Sequence, residues 1–420
     1  MHLTLLAAGT RGDTPPYVAL AVGLQRSGYS VRFAGNRNFE PLARQHGLDF
    51  FPINVDFFEM ANSGQMQEML SSENPIKFAI NSFRTIGPAL EQMQEAAWRA
   101  CEGTQAVIFH PLTLPNGYFI ARQLGLPCFP ALLYPVDPTR AHPALPFYYG
   151  PRLGGAYNRL THALTDQIIW QLFRAPVAKF WRKKFGRLPQ PFGNLFHLQR
   201  KTRTPVLYGY SQHTFPRPAD WPDNLHVTGY WFLDPPPDWT PPFALTHFLE
   251  SGLPPIYVGF GSMGSRRAAR ETTEIVIKSL SLSGQRGVLL SGWSGLGQEM
   301  NLPGDIFVVE DVPHAWLFPR MKAVVHHGGM GTTAAGLRAG TPSIVVPHTG
   351  DQPIWGRFVH ELGVGAKPIP RKRLTAERLA EAIKQAATDS AMSGRAAALG
   401  EKIHAEDGVA RAVEVIHRYL

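Results

Sequence analysis

The chain is 420 residues long, 44% hydrophobic, and carries a formal net charge of +9, which suits a globular protein of two or three domains and excludes a disordered or fibrous one. Its two cysteines, Cys101 and Cys128, are too few for a disulfide framework or a zinc cluster and fit a reducing compartment. No charged leader precedes MHLTLLAAGT and no run of about 18 apolar residues occurs, so a soluble, cytoplasmic protein is expected.

HLTLLAAGT, the turn RGDTPP, YVALAVGLQRSGY and SVRFAG read as strand, helix and strand at the spacing of a right-handed crossover in a parallel sheet. Thr14 is expected to cap the helix, with Pro15 at the first helical position, which leaves Asp13 to point into a ligand site or to serve as a cap itself. Residues 75 to 100 read as one long helix, and AVIFHP and LPCFPAL as two further buried strands. His110 ends the first of these on the carboxyl edge of the sheet, where it lines a ligand pocket or hydrogen-bonds a loop.

Residues 137 to 205 break this alternation. Between Arg140 and Arg203 stand twelve lysines and arginines against one acid, Asp166, an excess that more than accounts for the net charge. Aromatic residues, Tyr149, Trp170, Phe180 and Trp181 among them, are interleaved. The plain account is a solvated helical face with its aromatic side in the core. A nucleic-acid surface is disfavoured because no nucleic-acid-binding motif accompanies the patch. An anionic membrane surface is the third account.

TPVLYGYS and LHVTGY read as the last strands of a first domain spanning 1–228, and the proline-rich 229–242 as a semi-rigid linker. A second domain is expected over 243–395, with a C-terminal helical tail over 396–420. PPIYVGFGSMG is a buried strand entering a glycine loop in which Gly259, Gly261 and Gly264 satisfy GxGxxG. A dinucleotide site also requires an acidic residue at the end of the next strand, but GVLLSGW has none, which argues against a nicotinamide cofactor. Ser262 in that loop is a hydroxyl donor.

The stretch Val324 to Gln352, VVHHGGMGTTAAGLRAGTPSIVVPHTGDQ, reads as strand, glycine turn, helix, strand and loop, with both loops on the carboxyl edge of the sheet. Gly328, Gly329 and Gly331 remove side chains, so backbone N–H groups of the turn and first helical turn can close around an anionic group, with Thr332 and Thr333 adding hydroxyls. His327 is a satisfied strand-end histidine, a metal ligand or a phosphate donor. Metal is disfavoured because neighbours on a strand face opposite sides, so His326 and His327 do not share an ion, and the glycines favour the phosphate donor. Asp351 suits the cap of the helix PIWGRFVHEL.

HHGGMGTTAAGLRAGTPSIVVPHTGDQPIWGRFVHELGVG resembles the donor-sugar signature of nucleotide-sugar glycosyltransferases, on the branch of sterol 3-beta-glucosyltransferases and antibiotic-aglycone glycosyltransferases. The likeness continues through IPRKRLTAERLAEAI and recurs at PPIYVGFGSM and GTRGD. The resemblance implies an α/β protein of GT-B type, two doubly wound Rossmann-like parallel-sheet domains facing across a cleft, with the tail packing back on the first. It implies inverting transfer of glucose from UDP-glucose to a hydroxyl of a sterol or similar lipophilic acceptor, giving a beta-glycoside. A macrolide, polyketide or glycopeptide aglycone with a UDP- or TDP-sugar is the alternative.

By the same resemblance Asp13 is the general base and the first domain, with His110, lines the acceptor pocket. Ser262, His327, Gly329, Gly331 and Thr332 hold the donor diphosphate, and Asp351 and Gln352 the sugar hydroxyls. Some relatives carry tryptophan where Asp311 stands and glutamine where His314 stands, so the base contact falls to Trp293, Trp316 or backbone near Val312. No DxD triplet occurs in the chain, so no metal is expected on the diphosphate, and the nucleotide sugar is a co-substrate with no separate cofactor. A lipophilic acceptor gives segment 140–203 a purpose, peripheral contact with an anionic membrane at its inner face; no nucleic acid is expected. A catalytically silent partner of another transferase is the alternative of a different class, and the retained Asp13, His327 and Asp351 argue against it.

Overall fold

The computed structural model describes residues 1–9, 14–53, 90–148, 150–236, 238–260, 266–292, 295–298, 300–348 and 351–420, with backbone only at 266–268. Asp13, Ser262 and Trp293 lie outside the described residues, as do Gly261, Gly264 and most of the helix expected over 75–100. The chain divides into two units, Met1–Leu233 with Asp407–Leu420, and Asp234–Glu406.

The first unit is built on a parallel sheet of β1 (His2–Ala7), β2 (Ser30–Asn36), β3 (Asp49–Ile53), β4 (Ala106–Phe109), β5 (Cys128–Leu132), β6 (Val206–Tyr208) and β7 (Leu225–Val227). Strands β1, β4 and β5 are almost wholly buried, which is why they read as continuous apolar runs. Their order is β3-β2-β1-β4-β5-β6-β7, so the direction of winding reverses between β1 and β4, where Leu6 pairs with Phe109. One face packs Leu6, Ala34, Val107 and Phe109 against residues 90–100, the helix Asn116–Leu124 and the helix Gly155–Phe185. The helix Thr14–Arg26 packs on β1 and β2.

Behind that helix lies Gly408–Tyr419. Val409 occupies the space a side chain at Gly23 would need, and the Tyr29 hydroxyl meets His417 Nδ1 at 2.8 Å. The tail is shorter than the expected 396–420. The helix Ser390–His404 belongs to the second unit, where Met392 enters the core, Gly400 lies against Gly340 and Arg395 Nε donates to Gly363 O at 2.8 Å.

The second unit holds β8 (Ile256–Gly259), β9 (Gly287–Leu290), β10 (Ile306–Val309), β11 (Ala323–His326) and β12 (Ser343–Val345), all parallel, in the order β10-β9-β8-β11-β12. Successive side chains face opposite sides. Ile256, Val258, Leu289, Val325 and Ile344 meet the helices Arg266–Ser283 and Ala376–Thr388, while Tyr257, Val288 and Val324 meet Phe243–Glu250 and Met330–Arg338. Winding reverses between β8 and β11, where Gly259 pairs with His326. In doubly wound sheets the carboxyl ends at such a reversal are where ligands sit.

The proline-rich stretch, expected as a semi-rigid linker over 229–242, is packed at Trp231 and at Trp239. Trp231 is buried in the first unit, its indole over Gly209 and its Nε1–H on Thr228 Oγ1 at 2.9 Å, and Trp239 packs on Trp316 in the second.

Candidate active site

In the second unit the site grows from the end of β11. His326 is fully buried, and its Nδ1 accepts the N–H of Gly328 at 3.1 Å, which fixes its neutral tautomer. Burial, reinforced by His327 and His314, pushes it down to about 3. Gly328 has φ +89°, and a side chain there would meet Val345 at 2.6 Å and the Gln352 carbonyl at 2.9 Å, so only glycine serves.

Next comes His327, half-buried and pushed down to about 4 by desolvation. Its Nε2 lies 2.5 Å from where a Cβ of Gly329 would be, so the bare glycine lets the imidazole lie over the start of the helix Met330–Arg338. His327 Nδ1 is buried with no hydrogen-bond partner among the described residues. Gly329 is the cap residue, and its carbonyl accepts from Thr333 N and Thr333 Oγ1, both at 2.9 Å. The N–H groups of Met330, Gly331 and Thr332 therefore have no partner within the helix and carry the positive end of its dipole. Thr332 is the third helical residue.

The loop after β12 closes against this turn. His348 N–H donates to Gln352 Oε1 at 2.8 Å, Arg371 N–H donates to Pro347 O at 3.0 Å, and Val346 N–H donates to His326 O at 2.8 Å. Burial lowers His348 to about 4, helped by His327 and Arg371, and its Nε2 is buried with no hydrogen-bond partner among the described residues. Asp351 stands at the cap of the helix Gln352–Glu361 without a side-chain capping bond; its Oδ2 instead accepts from Trp355 Nε1 at 2.6 Å. The expected cap is thus replaced by an indole that orients the carboxylate. Two neutral imidazoles with buried nitrogens and a bare helix N-terminus are suited to an anionic ligand, whose charge would favour N–H donors.

Sequence reasoning gave no role to His348 or Trp355. The signal for Trp355 was its spacing of four from Asp351 on a helix, and for His348 its place at the end of a strand beside the turn. Of the candidates for the base contact, Trp293 lies outside the described residues and the reading by backbone near Val312 is not tested by the place of its side chain. Val312 is a core side chain, and Trp316 is covered by Trp239 at 5.6 Å and by the Arg320 guanidinium at 4.3 Å. His314 stacks on Phe318 at 4.3 Å and meets the Tyr257 hydroxyl at 3.3 Å.

In the first unit the loops leaving β1 and β4 sit at the reversal of strand order. His110 is buried, its N–H donates to Leu6 O at 3.0 Å, and its ring meets Tyr17 edge-on at 5.6 Å. Tyr17 in turn donates to Ala131 O at 2.6 Å. Gly9 N–H is tied to Asn36 Oδ1 at 3.0 Å. Thr14 is the first helical residue, and its Oγ1 is buried with no hydrogen-bond partner among the described residues, so it does not cap the helix through its side chain. The sequence argument that a capping Thr14 frees Asp13 therefore loses its support. Among the described residues no group of three or more His, Cys, Asp or Glu could hold a metal ion.

Residues 3–141 match the glycosyltransferase family 28 N-terminal domain, and residues 294–417 match the erythromycin biosynthesis protein CIII-like C-terminal domain. The chain is 36% identical over 431 residues to a sterol 3-beta-glucosyltransferase of Emericella nidulans, an alignment that covers 100% of this chain and 30% of that protein. Among solved structures it shares its fold with the glycotransferase of kitacinnamycin, at 21% identity and a TM-score of 0.70, covering 100% of this chain and 98% of that one. The glycosyltransferase SsfS6 of Streptomyces sp. SF2575, complexed with thymidine diphosphate, is similar at 18% identity and a TM-score of 0.63, covering 100% and 99%. With these two domain matches in order, in a chain that spans about 30% of the length of the sterol 3-beta-glucosyltransferases it matches, the chain belongs to the glycosyltransferases and is similar in sequence to sterol 3-beta-glucosyltransferases and in fold to antibiotic glycosyltransferases.

Proposed function

We propose that the protein is an inverting, metal-independent glycosyltransferase that moves glucose from UDP-glucose to a hydroxyl of a sterol or similar lipophilic acceptor. The observation that carries this is the His327 imidazole lying over Gly329 at the start of the helix Met330–Arg338. That arrangement supplies N–H donors and a helix dipole to a diphosphate leaving group without a cation, and such preorganised donors count for far more in a desolvated site than in water. Ser262 and Thr332 add hydroxyls, and Asp351 and Gln352 take the sugar. No cofactor is needed beyond the nucleotide sugar.

The base is assigned to Asp13, on the GTRGD likeness and on its place in the sequence between β1 and the helix Thr14–Arg26. A carboxylate with a pKa near ~4 does not remove an alcohol proton outright. The proton moves to Asp13 as the acceptor oxygen attacks the anomeric carbon and the bond to the diphosphate breaks. One displacement inverts the centre, so an alpha-linked donor gives a beta-glycoside. Identity to a sterol 3-beta-glucosyltransferase along the whole chain favours a sterol. The erythromycin biosynthesis CIII-like match over 294–417 favours an antibiotic aglycone as the second reading.

The test offers UDP-glucose and TDP-glucose in turn with sterols and with macrolide and polyketide aglycones, with and without a chelator, and scores products by mass and anomeric configuration. A sterol beta-glucoside formed from UDP-glucose in chelator supports the proposal. Product confined to aglycones moves the acceptor to the second reading, and an alpha-glycoside removes the single displacement.

A further inference from the structure

The helix Gly155–Phe185 turns its aromatic side inward and an aliphatic side outward. Trp170, Phe180 and Trp181 are in the core, whereas Leu160, Leu164, Ile168 and Leu172 are 56%, 46%, 58% and 36% exposed. Their spacing of four sets them along one side of the helix, a stripe about 18 Å long at 1.5 Å per residue. Scattered exposed leucines need no account, but an aligned row of them does. The sequence points to the whole basic and aromatic segment 140–203 as the contact; with Trp170, Phe180 and Trp181 in the core, the aliphatic face is the part of this helix left outward.

Among the described residues, the charge that the helix itself and the loop before it expose is basic. Arg152, Arg174, Arg182 and Lys183 are exposed and have no ion pair among the described residues. Lys179 and Lys184 are partly neutralised by Glu91 at 2.6 Å and Glu95 at 2.8 Å. Asp166, the one acid between Arg140 and Arg203, is buried and held by Arg200 Nη2 at 2.6 Å, so it takes nothing from the outer face.

We infer that this face of the helix docks on an anionic lipid bilayer, with the aliphatic stripe in the interface and the arginines and lysine at the headgroup phosphates. Among the described residues no helix is long and apolar enough to cross a membrane, so the helix lies along the surface. A second copy is a poorer occupant, because a two-fold contact through the stripe would bring like-charged flanks together. A nucleic acid is poorer still, because the aromatics that would stack on bases are in the core. The inference deepens the lipophilic-acceptor reading and rests on it for its purpose: a bilayer is where such an acceptor dissolves.

The test floats the full chain with vesicles of phosphatidylcholine alone or mixed with phosphatidylserine, with no sterol or other acceptor present. The chain is expected to float with the mixed vesicles only. Leu164→Glu with Ile168→Glu, and separately Arg182→Glu with Lys183→Glu, should each lower binding about tenfold or more at unchanged melting temperature. Equal flotation on both vesicle types, or binding untouched by either pair, overturns the inference. So does a dimer that the Leu164→Glu, Ile168→Glu protein no longer forms, since a second copy then covers the stripe. Turnover of a water-soluble acceptor without vesicles keeps the two readings apart: its absence in the unaltered protein strikes the transferase reading and leaves the flotation result standing.

Discussion

Asp351 and Trp355 are joined side chain to side chain, the indole N–H on the carboxylate at 2.6 Å, across one turn of the helix Gln352–Glu361. A hydrogen bond to a carboxylate is worth about 1.5–3 kcal/mol in mutational series. Trp355→Phe keeps most of the apolar volume and removes only the donor. It should raise the KM for the donor sugar about tenfold with a smaller effect on kcat, measured by steady-state kinetics. Asp351→Ala should cost at least as much, and the two losses together should be less than additive.

Gly329 and His327 form a second coupled pair. A Cβ at 329 falls 2.5 Å from His327 Nε2, so Gly329→Ala must push the imidazole off the helix start. Donor affinity should fall about tenfold in Gly329→Ala and by a similar factor in His327→Ala. The double variant should be little worse than either single one, which a double-mutant cycle by calorimetry would read.

Asp13 is tested by a near-isosteric change. Asp13→Asn should reduce turnover about 100-fold or more while leaving donor affinity almost intact, because the lost interaction belongs to proton transfer. Unchanged turnover would remove Asp13 as the base.

Three histidines that desolvation holds below the ordinary range predict an acid limb of stability. Burial holds His326 at about 3 and both His327 and His348 at about 4, against 6.5 for an ordinary histidine. Between those values the unfolded chain binds more protons than the folded one. Their stabilisation is therefore complete above pH 6.5 and is lost as pH falls toward 4 and 3. Asp166 works in the opposite direction, since burial raises it to about 6 despite Arg200, but it is one group against three. Unfolding by denaturant should show stability falling on the order of a few kcal/mol from pH 7 to pH 4, with a shallower slope in His348→Phe.

How far these features were legible depends on the range of the interactions that make them. Strands such as β1 (His2–Ala7) and β11 (Ala323–His326) were readable because a parallel sheet buries both faces and favours mostly apolar runs. The glycine turn at Gly328 and Gly329 was readable for the same local reason, that backbone needs no side chain there. What one residue does for another through space was not. Trp355 holding Asp351, His348 beside the turn, and Ser390–His404 joining the second unit each depend on a fold already formed. The helix Gly155–Phe185 is the instructive case: its aromatics and its leucines look alike in sequence, and only packing against Phe119 and Trp98 decides which set is inside.

The central claim is that the second unit grips a nucleoside diphosphate through His327 and a bare helix start, without a metal. Calorimetric titration of UDP into the protein in excess chelator measures this most directly. The account predicts binding that survives chelation and weakens about tenfold or more in His327→Ala. Binding abolished by the chelator, or left unchanged by His327→Ala, would contradict it.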